Sequence, residues 1–261
     1  MKNIIIVIFI ANLFCFESGK ELAEIMELRP KPNDIKSRNQ LIIKNKNSTK
    51  TLELISKSKD DSKLQMIWFL KPKDDKGIAF LKKEEDGKDD FMIMWLPGFK
   101  RFRRIASSNK TDSFMGSDLT FEDLTNRNFE DYTYPEIPYE VDCKFNNKYT
   151  TCYVLTSIPN PETKKNSDYG KHETTVLEVE KDIFIAIQED SYDVTGKVKL
   201  KTKELNYDLI VSDDDKYYIM NNLVVNNVQE GTSTTLTVNK ISINNGFATK
   251  SFNERTLKRL P

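Results

Sequence analysis

The 261-residue sequence is poor in the residue types from which most catalytic and metal sites are built. It has one histidine and three cysteines, which leaves few side chains for a histidine-based hydrolase or for a histidine and cysteine metal site. Its nine glycines form no phosphate-binding loop, since Gly98 and Gly116 are isolated. The sequence therefore favours binding over catalysis, and we expect neither an enzyme nor a cofactor.

A net charge is also missing. Forty lysine and arginine residues balance forty aspartate and glutamate residues, so the chain has no overall field to attract nucleic acid or an acidic membrane surface. We therefore expect no nucleic-acid partner. One local cluster, residues 100–104 (KRFRR), interleaves cations with an aromatic ring. It could contact a lipid headgroup, a partner's acidic face, or internal carboxylates such as those of Asp118, Glu122 and Asp123.

The first residues resemble an export signal. Lys2 precedes apolar runs at residues 4–11 and 13–16, which are shorter than the roughly 20 apolar residues of a membrane-spanning helix. We predict a signal peptide over residues 1–19 and a mature start near residues 19 to 20, with an uncleaved anchor as the alternative. Lipid attachment at Cys15 is disfavoured by the bulky residues before it. No later segment is long and apolar enough to span a membrane, so we expect the mature chain to be soluble, released or membrane-peripheral.

Export changes the meaning of the cysteines. Cys143 and Cys152 are the only pair left in the mature chain, and disulfides persist in an oxidising compartment. Two strands that turn about Asn147 and Lys148 would place the two cysteines directly opposite each other. We predict a cross-strand disulfide. The alternative, a redox or metal pair, does not match the spacing of a metal motif.

Most of the chain has the pattern of β-strands. Leu64–Leu70 and Phe91–Leu96 are nearly continuous apolar runs, whereas Thr174–Glu180 and Thr232–Ile243 alternate apolar and polar residues. About a dozen such segments are joined by short turns, without the crossover helices that a parallel sheet requires. We predict a mainly β (α+β) fold in one domain over residues 20–261: a strongly curved antiparallel sheet, or half-open β-barrel, covered by a few short helices.

Three helices are predicted. Residues 21–28 place Leu22, Ile25 and Met26 on one face, as in a short amphipathic helix. A second helix start follows Thr120, and residues 251–254 have the spacing of a capping box. His172 begins a predicted strand, and we expect it on the surface.

Methionine and aromatic residues are concentrated between residues 66 and 115, and together they suit a flexible apolar ligand. The concave face of an open curved sheet needs a cover, which is either the protein's own helices or a lipid. Arg103 and Arg104 are candidates for holding a headgroup or for latching a lid through Asp118. The candidates for contacts in the cavity or its lid are Trp68, Met92, Met94, Trp95, Phe114 and Met115.

Several motifs resemble the outer-membrane lipoprotein-sorting protein family, a LolA-like branch of exported bacterial proteins. These are residues 94–97 (MWLP), 103–108 (RRIASS), 113–118 (SFMGSD) and 121–124 (FEDL), with 68–72 (WFLKP) and Lys76-Gly77 upstream and 252–257 (FNERTL) near the end. The resemblance runs from about residue 20 to the end. The charged insertion at residues 84–90 and the cysteine pair depart from the family pattern.

The resemblance implies a half-open antiparallel barrel over short helices, with an apolar cavity that accepts acyl chains in the periplasm. Relatives are associated with lipid exporters of the resistance-nodulation-division type. We therefore expect a monomeric carrier that hands a lipid or lipoprotein toward the outer membrane, with such an inner-membrane transporter or an outer-membrane acceptor as partner. The alternatives are a periplasmic adaptor of the exporter and, more weakly, an envelope-lipid hydrolase.

Overall fold

The computed structural model describes residues 16–84, 88–212 and 214–261. Fourteen strands, numbered β1 to β14 in chain order, and three short helices, α1 to α3, account for most of these residues. The strands are Asp34–Asn45, Ser48–Lys59, Leu64–Lys71, Ala79–Lys83, Phe91–Leu96, Arg101–Ile105, Tyr132–Thr133, Tyr139–Phe145, Lys148–Pro159, Lys171–Glu180, Ile183–Tyr192, Lys199–Ser212, Asp215–Asn227 and Thr232–Ile243. The helices are Gly19–Glu27, Pro161–Lys164 and Glu254–Leu257.

All fourteen strands belong to one sheet with antiparallel pairing. Its order is β6-β5-β4-β3-β2-β1-β14-β13-β12-β11-β10-β9-β7, and β8 pairs with β9 as well. The prediction of a curved antiparallel sheet is confirmed. Because β6 and β7 remain as edges, the sheet is not a closed barrel.

The strand alternation divides the side chains between two faces of the sheet. On β1, Ser37, Asn39, Leu41 and Ile43 are buried on one face, which we call the inner face, while Arg38 between them is exposed. Strand β13 is continuous through Asn221 and Asn222, although a bulge at Asn221 shifts its register with β12, so that Met220 pairs with Tyr207 and Asn222 with Asn206.

Each face has its own apolar cover. Residues 106–125, which we call the covering segment, lie over the inner face and insert Phe114, Leu119 and Phe121 among buried side chains of β1 to β5. On the outer face, Phe252 and Leu257 of the C-terminal segment pack against β3 to β5. The two layers bury the apolar strands on both sides, as their nearly continuous apolar sequence predicts.

The helices partly match the predictions. In α1, Leu22 is fully buried, and Ser18 caps the helix by accepting a hydrogen bond from the Glu21 amide at 3.2 Å. The C-terminal helix is capped by Asn253, which accepts from the Thr256 amide at 2.9 Å, and not by the predicted capping box of residues 251–254. The helix predicted after Thr120 is a single 3-10 turn, residues 122–124.

The N-terminal boundary of the mature chain stays a prediction. Residues 1–15, which hold most of the predicted signal peptide, lie outside the described residues. Phe16 precedes the predicted start of the mature chain, yet its ring is buried and lies 4.9 Å from that of Tyr153. Among the described residues, no helix combines the length and apolar character needed to cross a membrane.

Cys143 and Cys152 form a disulfide in the β8–β9 hairpin, with their Cα atoms 5.8 Å apart. The predicted register is wrong, however, because Cys143 lies opposite Thr150 and Cys152 opposite Val141. Asn146 and its neighbour Asn147 both adopt positive φ, as a two-residue hairpin turn requires, and this moves the turn one residue earlier than predicted. The disulfide therefore joins diagonal neighbours on one face of the hairpin.

Candidate functional site

An apolar cavity of about 410 Å³ lies on the inner face of the sheet. This volume is within the range of small-molecule binding sites. Its walls come from strands β1 to β3 on one side and β12 to β14 on the other, and the covering segment forms its roof. The apolar lining includes Leu41, Leu54, Ile67, Leu205, Met220, Leu236, Val238 and Ile241 from the walls, with Phe114, Leu119 and Leu124 from the roof.

One wall of the cavity carries a polar strip, which we define as Ser37, Asn39, Ser56, Ser58 and Gln65. The hydroxyl oxygens of Ser37 and Ser56 lie 2.7 Å apart, and the Asn39 Nδ2 group donates to Ser56 Oγ at 3.3 Å. None of these residues was predicted as a site residue from the sequence. Polar residues at alternate positions of β1 and β2, within the face that otherwise holds leucine and isoleucine, were the available signal.

The cavity rim is formed by the connection between α1 and β1, together with the end of β2. Pro30 and Pro32 end the helix there, and the flanking cations are held by the protein itself. Lys31 pairs with Asp61 at 2.7 Å, and the guanidinium of Arg29 donates to the Tyr218 carbonyl oxygen at 3.2 Å. The rim is thus ordered without a strong excess of one charge.

Asp118 attaches the covering segment to strand β14. Its carboxylate accepts hydrogen bonds from the hydroxyls of Thr232 and Thr234, the latter at 2.7 Å, and its amide donates to Thr234 Oγ1 at 2.9 Å. From the sequence, Asp118 is a candidate partner of Arg103 or Arg104 in a latch. The structure instead places threonine hydroxyls beside this carboxylate.

Lys82 fixes the far end of the covering segment. Its side chain is fully buried, and its ammonium group donates to the Leu124 carbonyl oxygen at 2.6 Å and to Glu84 at 2.5 Å. Burial lowers the pKa of Lys82, while the nearby Glu84 carboxylate acts in the opposite direction. An internal ion pair thus stabilises the turn where the roof leaves the cavity.

Asp123 is the centre of a buried charge cluster between the covering segment and β12. Its carboxylate lies 3.0 Å from Lys201 Nζ and 2.8 Å from Lys203 Nζ, and it accepts from the Thr120 amide at 2.8 Å. Burial alone would raise the pKa of Asp123, but the charges of Lys203 and Lys201 outweigh it and hold the pKa far below its usual range. Asp123 therefore stays ionised and binds the roof to the sheet.

The cluster continues through Glu189, which pairs with Lys203 at 3.0 Å and with Arg127. His172 lies beside it, with its Nδ1 atom 3.0 Å from Ser191 Oγ and 3.7 Å from a Glu189 oxygen. The expectation of a surface histidine is wrong, since His172 is 2% exposed. Its flanking charged residues suggested exposure, but strand alternation turns the imidazole to the inner face.

His172, Ser191 and Glu189 do not form a hydrolytic triad. In such a triad the serine and the acid contact opposite nitrogens of the imidazole, whereas here both face Nδ1. Ser191 is also fully buried, so its hydroxyl is shielded from substrate. No group of three or more potential metal ligands occurs within the part of the chain that the structure describes.

The buried imidazole makes stability depend on pH. Burial lowers the pKa of His172 well below its usual value of about 6.5, so on acidification the unfolded chain takes up this proton first. Stability should then decrease by up to about 1.4 kcal/mol per pH unit below 6.5. We expect the free energy of unfolding, measured by urea titration, to fall between pH 7.5 and 5.5, and the His172→Gln variant to lose this component.

The comparison of slopes isolates the histidine. Burial raises the pKa of Glu84 and of Glu122, so these two carboxyls make the protein more stable as the pH falls, which is the opposite of the histidine effect. This contribution is the same in the wild type and in His172→Gln, so it cancels when the two slopes are subtracted. Equal slopes for the wild type and His172→Gln would show that His172 is protonated equally in the folded and unfolded chains.

The predicted site residues are divided between the two faces. Phe114 lines the cavity, and Met92 and Met94 are buried in the inner-face cluster beneath the covering segment, with Met115 packed against it. Trp68 does not reach the cavity, because it belongs to the outer face and its indole nitrogen donates to the Leu257 carbonyl oxygen at 3.0 Å.

Trp95 also belongs to the outer face, where its ring lies 5.0 Å from that of Phe102. Arg103 and Arg104 are exposed on the edge strand β6. The Arg103 guanidinium is 3.7 Å from Asp112, and that of Arg104 lies over the Phe91 ring. The apolar strands β3 and β5 contribute side chains to both faces of the sheet. Their composition alone therefore could not distinguish the residues on the cavity side from those that pack under the C-terminal helix.

A family model described as "Uncharacterized protein" matches residues 61–259, which is more than half of the chain. No curated protein sequence matches this chain. Among solved structures, a domain from Vibrio parahaemolyticus assigned as an outer membrane lipoprotein-sorting protein has a TM-score of 0.78 at 28% identity, over 93% of this chain and 98% of that one.

Two further structures have the same fold. A DUF1329 family protein from Desulfovibrio piger has a TM-score of 0.77 at 24% identity, over 92% of this chain and 97% of that one. A LolA superfamily protein from Nitrosomonas europaea has a TM-score of 0.64 at 16% identity, over 91% and 98%. The predicted resemblance to lipoprotein-sorting and LolA-like proteins is therefore confirmed.

Proposed function

We propose that this chain, which belongs to the family described as "Uncharacterized protein", is a periplasmic carrier for the acyl chains of a lipid or lipoprotein. The cavity would shield the chains from water and release them toward the outer membrane. The observation that carries this proposal is the apolar cavity of about 410 Å³ that lies between the open sheet and its covering segment.

The energetics suit a carrier. Burying an acyl methylene group is worth about 0.8 kcal/mol, so several methylenes against the walls and roof would hold a chain with useful affinity. Release then requires only an acceptor that binds the chain more tightly, and no bond is made or broken. The geometry of His172, Ser191 and Glu189 argues against the hydrolase alternative.

The comparisons add support at two levels. The domain from Vibrio parahaemolyticus is assigned to outer membrane lipoprotein sorting and covers nearly the whole chain, although at 28% identity. The LolA superfamily protein supports the fold alone. Both are compatible with an exported protein that binds lipid without catalysis.

An exporter adaptor is the second candidate. Strand β6 is an edge of the sheet and exposes Arg101, Arg103 and Arg104. Such a basic edge could dock on an acidic surface of an inner-membrane transporter or an outer-membrane acceptor. In that case the cavity need not hold a lipid.

Lipid analysis of the natively purified protein tests the carrier function. We expect native mass spectrometry of protein isolated from its own envelope to show a bound species, and organic extraction to identify it as acyl lipid in near-stoichiometric amount. A ligand-free protein that binds a transporter stably would contradict the carrier and favour the adaptor.

A further inference from the structure

The polar strip is arranged as cross-strand pairs within an otherwise apolar wall. Ser37 lies opposite Ser56, and Ser58 lies opposite Gln65, on the adjoining ladders of β1, β2 and β3. Asn39 follows Ser37 on the same face of β1. A carrier that held only hydrocarbon would gain more from apolar residues at these positions, because each polar group there must be desolvated.

Two oxygens of the strip accept no hydrogen bond from any residue that the structure describes. They are Asn39 Oδ1 and Gln65 Oε1, and both residues line the cavity. The Asn39 side chain is almost completely buried, with 4% of its surface exposed. A buried carbonyl oxygen without a donor is costly, so a ligand that supplies a donor at this position gains affinity.

The chemistry of the strip defines the ligand group. The amide oxygens only accept, the serine hydroxyls donate or accept, and the strip contains no cation. The unpartnered amide oxygens have no hydrogen to donate to a carboxylate or phosphate on the ligand, whereas they would bind a hydroxyl or amide N–H.

We propose that the polar strip binds the uncharged, hydrogen-bond-donating group of an amphiphile, a hydroxyl or amide N–H close to the start of an acyl chain. The chain itself lies against Leu205, Leu236 and Phe114 on the opposite wall and roof. This inference rests on the proposed carrier function and specifies its ligand class.

The test compares three probes with the same acyl chain. Monomyristoylglycerol carries two hydroxyls, methyl myristate carries no donor, and myristate carries a negative charge. Affinities are measured on delipidated protein by displacement of a fluorescent acyl probe. We expect the wild type to bind monomyristoylglycerol about tenfold more tightly than either other ligand, as two additional hydrogen bonds would provide.

Two variants assign the preference to the strip. Asn39→Leu combined with Gln65→Leu should reduce the preference for monomyristoylglycerol over methyl myristate to less than about threefold, without weakening methyl myristate. Asn221→Leu is the matched control, since Asn221 Oδ1 is also unpartnered among the described residues but does not line the cavity. This control should keep the preference. Ser58→Ala provides a milder variant if the double substitution disturbs folding.

The outcomes separate the inference from the function on which it rests. Equal wild-type affinity for monomyristoylglycerol and methyl myristate would overturn the ligand class and leave the carrier intact. Strongest binding of myristate, or a preference that survives in the Asn39→Leu/Gln65→Leu protein, would also overturn it. If none of the three probes binds, the carrier function fails and the inference fails with it.

Discussion

Replacing Asp123 with asparagine is expected to destabilise the protein by about 3–5 kcal/mol, since it leaves buried lysines without their counter-charge. The substitution keeps the size of the side chain and removes only its charge. Lys203 would retain Glu189, whereas Lys201 would retain the Tyr169 ring, 5.3 Å from its Nζ, and the more distant charge of Asp168. The Asp123 side chain is itself 2% exposed. The lost ion pair therefore cannot be replaced by water.

Asp112→Asn is the matched control for this experiment. Asp112 also lies in the covering segment, but it is largely exposed, and its partner Arg103 is 3.7 Å away. Exposed pairs of this kind contribute less than about 1 kcal/mol. Urea unfolding at pH 7.5 measures both variants against the wild type. Similar small effects for Asp123→Asn and Asp112→Asn would show that the buried cluster does not hold the covering segment.

The anchors of the covering segment also bear on how a ligand enters. Lys82, Asp118 and Asp123 bind this segment at separate points of the sheet. Opening the roof would break buried ion pairs and hydrogen bonds at all three. Entry past the α1–β1 connection at the rim disrupts fewer buried contacts, so we expect a ligand to enter there.

Local sequence patterns were sufficient to predict the type of sheet. Alternation and turn residues identified the antiparallel strands, because each of these signals acts over a few neighbouring residues. The register of the β8–β9 hairpin was missed, since Asn146 and Lys148 are both acceptable turn residues and only the backbone of the folded hairpin distinguishes them.

The site was harder to predict than the fold. The family motif drew attention to Phe114, which lines the cavity. Trp68 and Trp95, however, lie on the outer face of the sheet, and periodicity does not say which face is inner. The Asp123 cluster joins residues nearly eighty positions apart in the sequence. Strands β1 and β14, which pair with each other, are separated by an even longer stretch of the chain. Such long-range contacts leave no local pattern in the sequence.

Filling the cavity should abolish lipid binding. Leu205 lines the cavity from strand β12, and Leu205→Trp would place an indole in the space proposed for the acyl chain. We expect at least a tenfold loss of acyl-probe affinity, because the chain would lose several buried methylenes at about 0.8 kcal/mol each. Any destabilisation from overpacking should stay within about 1–3 kcal/mol.

Leu209→Trp is the control for that substitution. Leu209 lies on the same strand, but it is 46% exposed and does not line the cavity. The added indole should leave acyl-probe affinity and stability close to those of the wild type.

Lipid co-purification with these variants tests the central claim most directly. The wild type, Leu205→Trp and Leu209→Trp are purified in parallel from the native envelope, and bound acyl lipid per protein molecule is quantified by native mass spectrometry. A carrier with its ligand in this cavity predicts near-stoichiometric lipid in the wild type and Leu209→Trp, and little in Leu205→Trp. Equal lipid content in Leu205→Trp and Leu209→Trp, or none in the wild type, would contradict it.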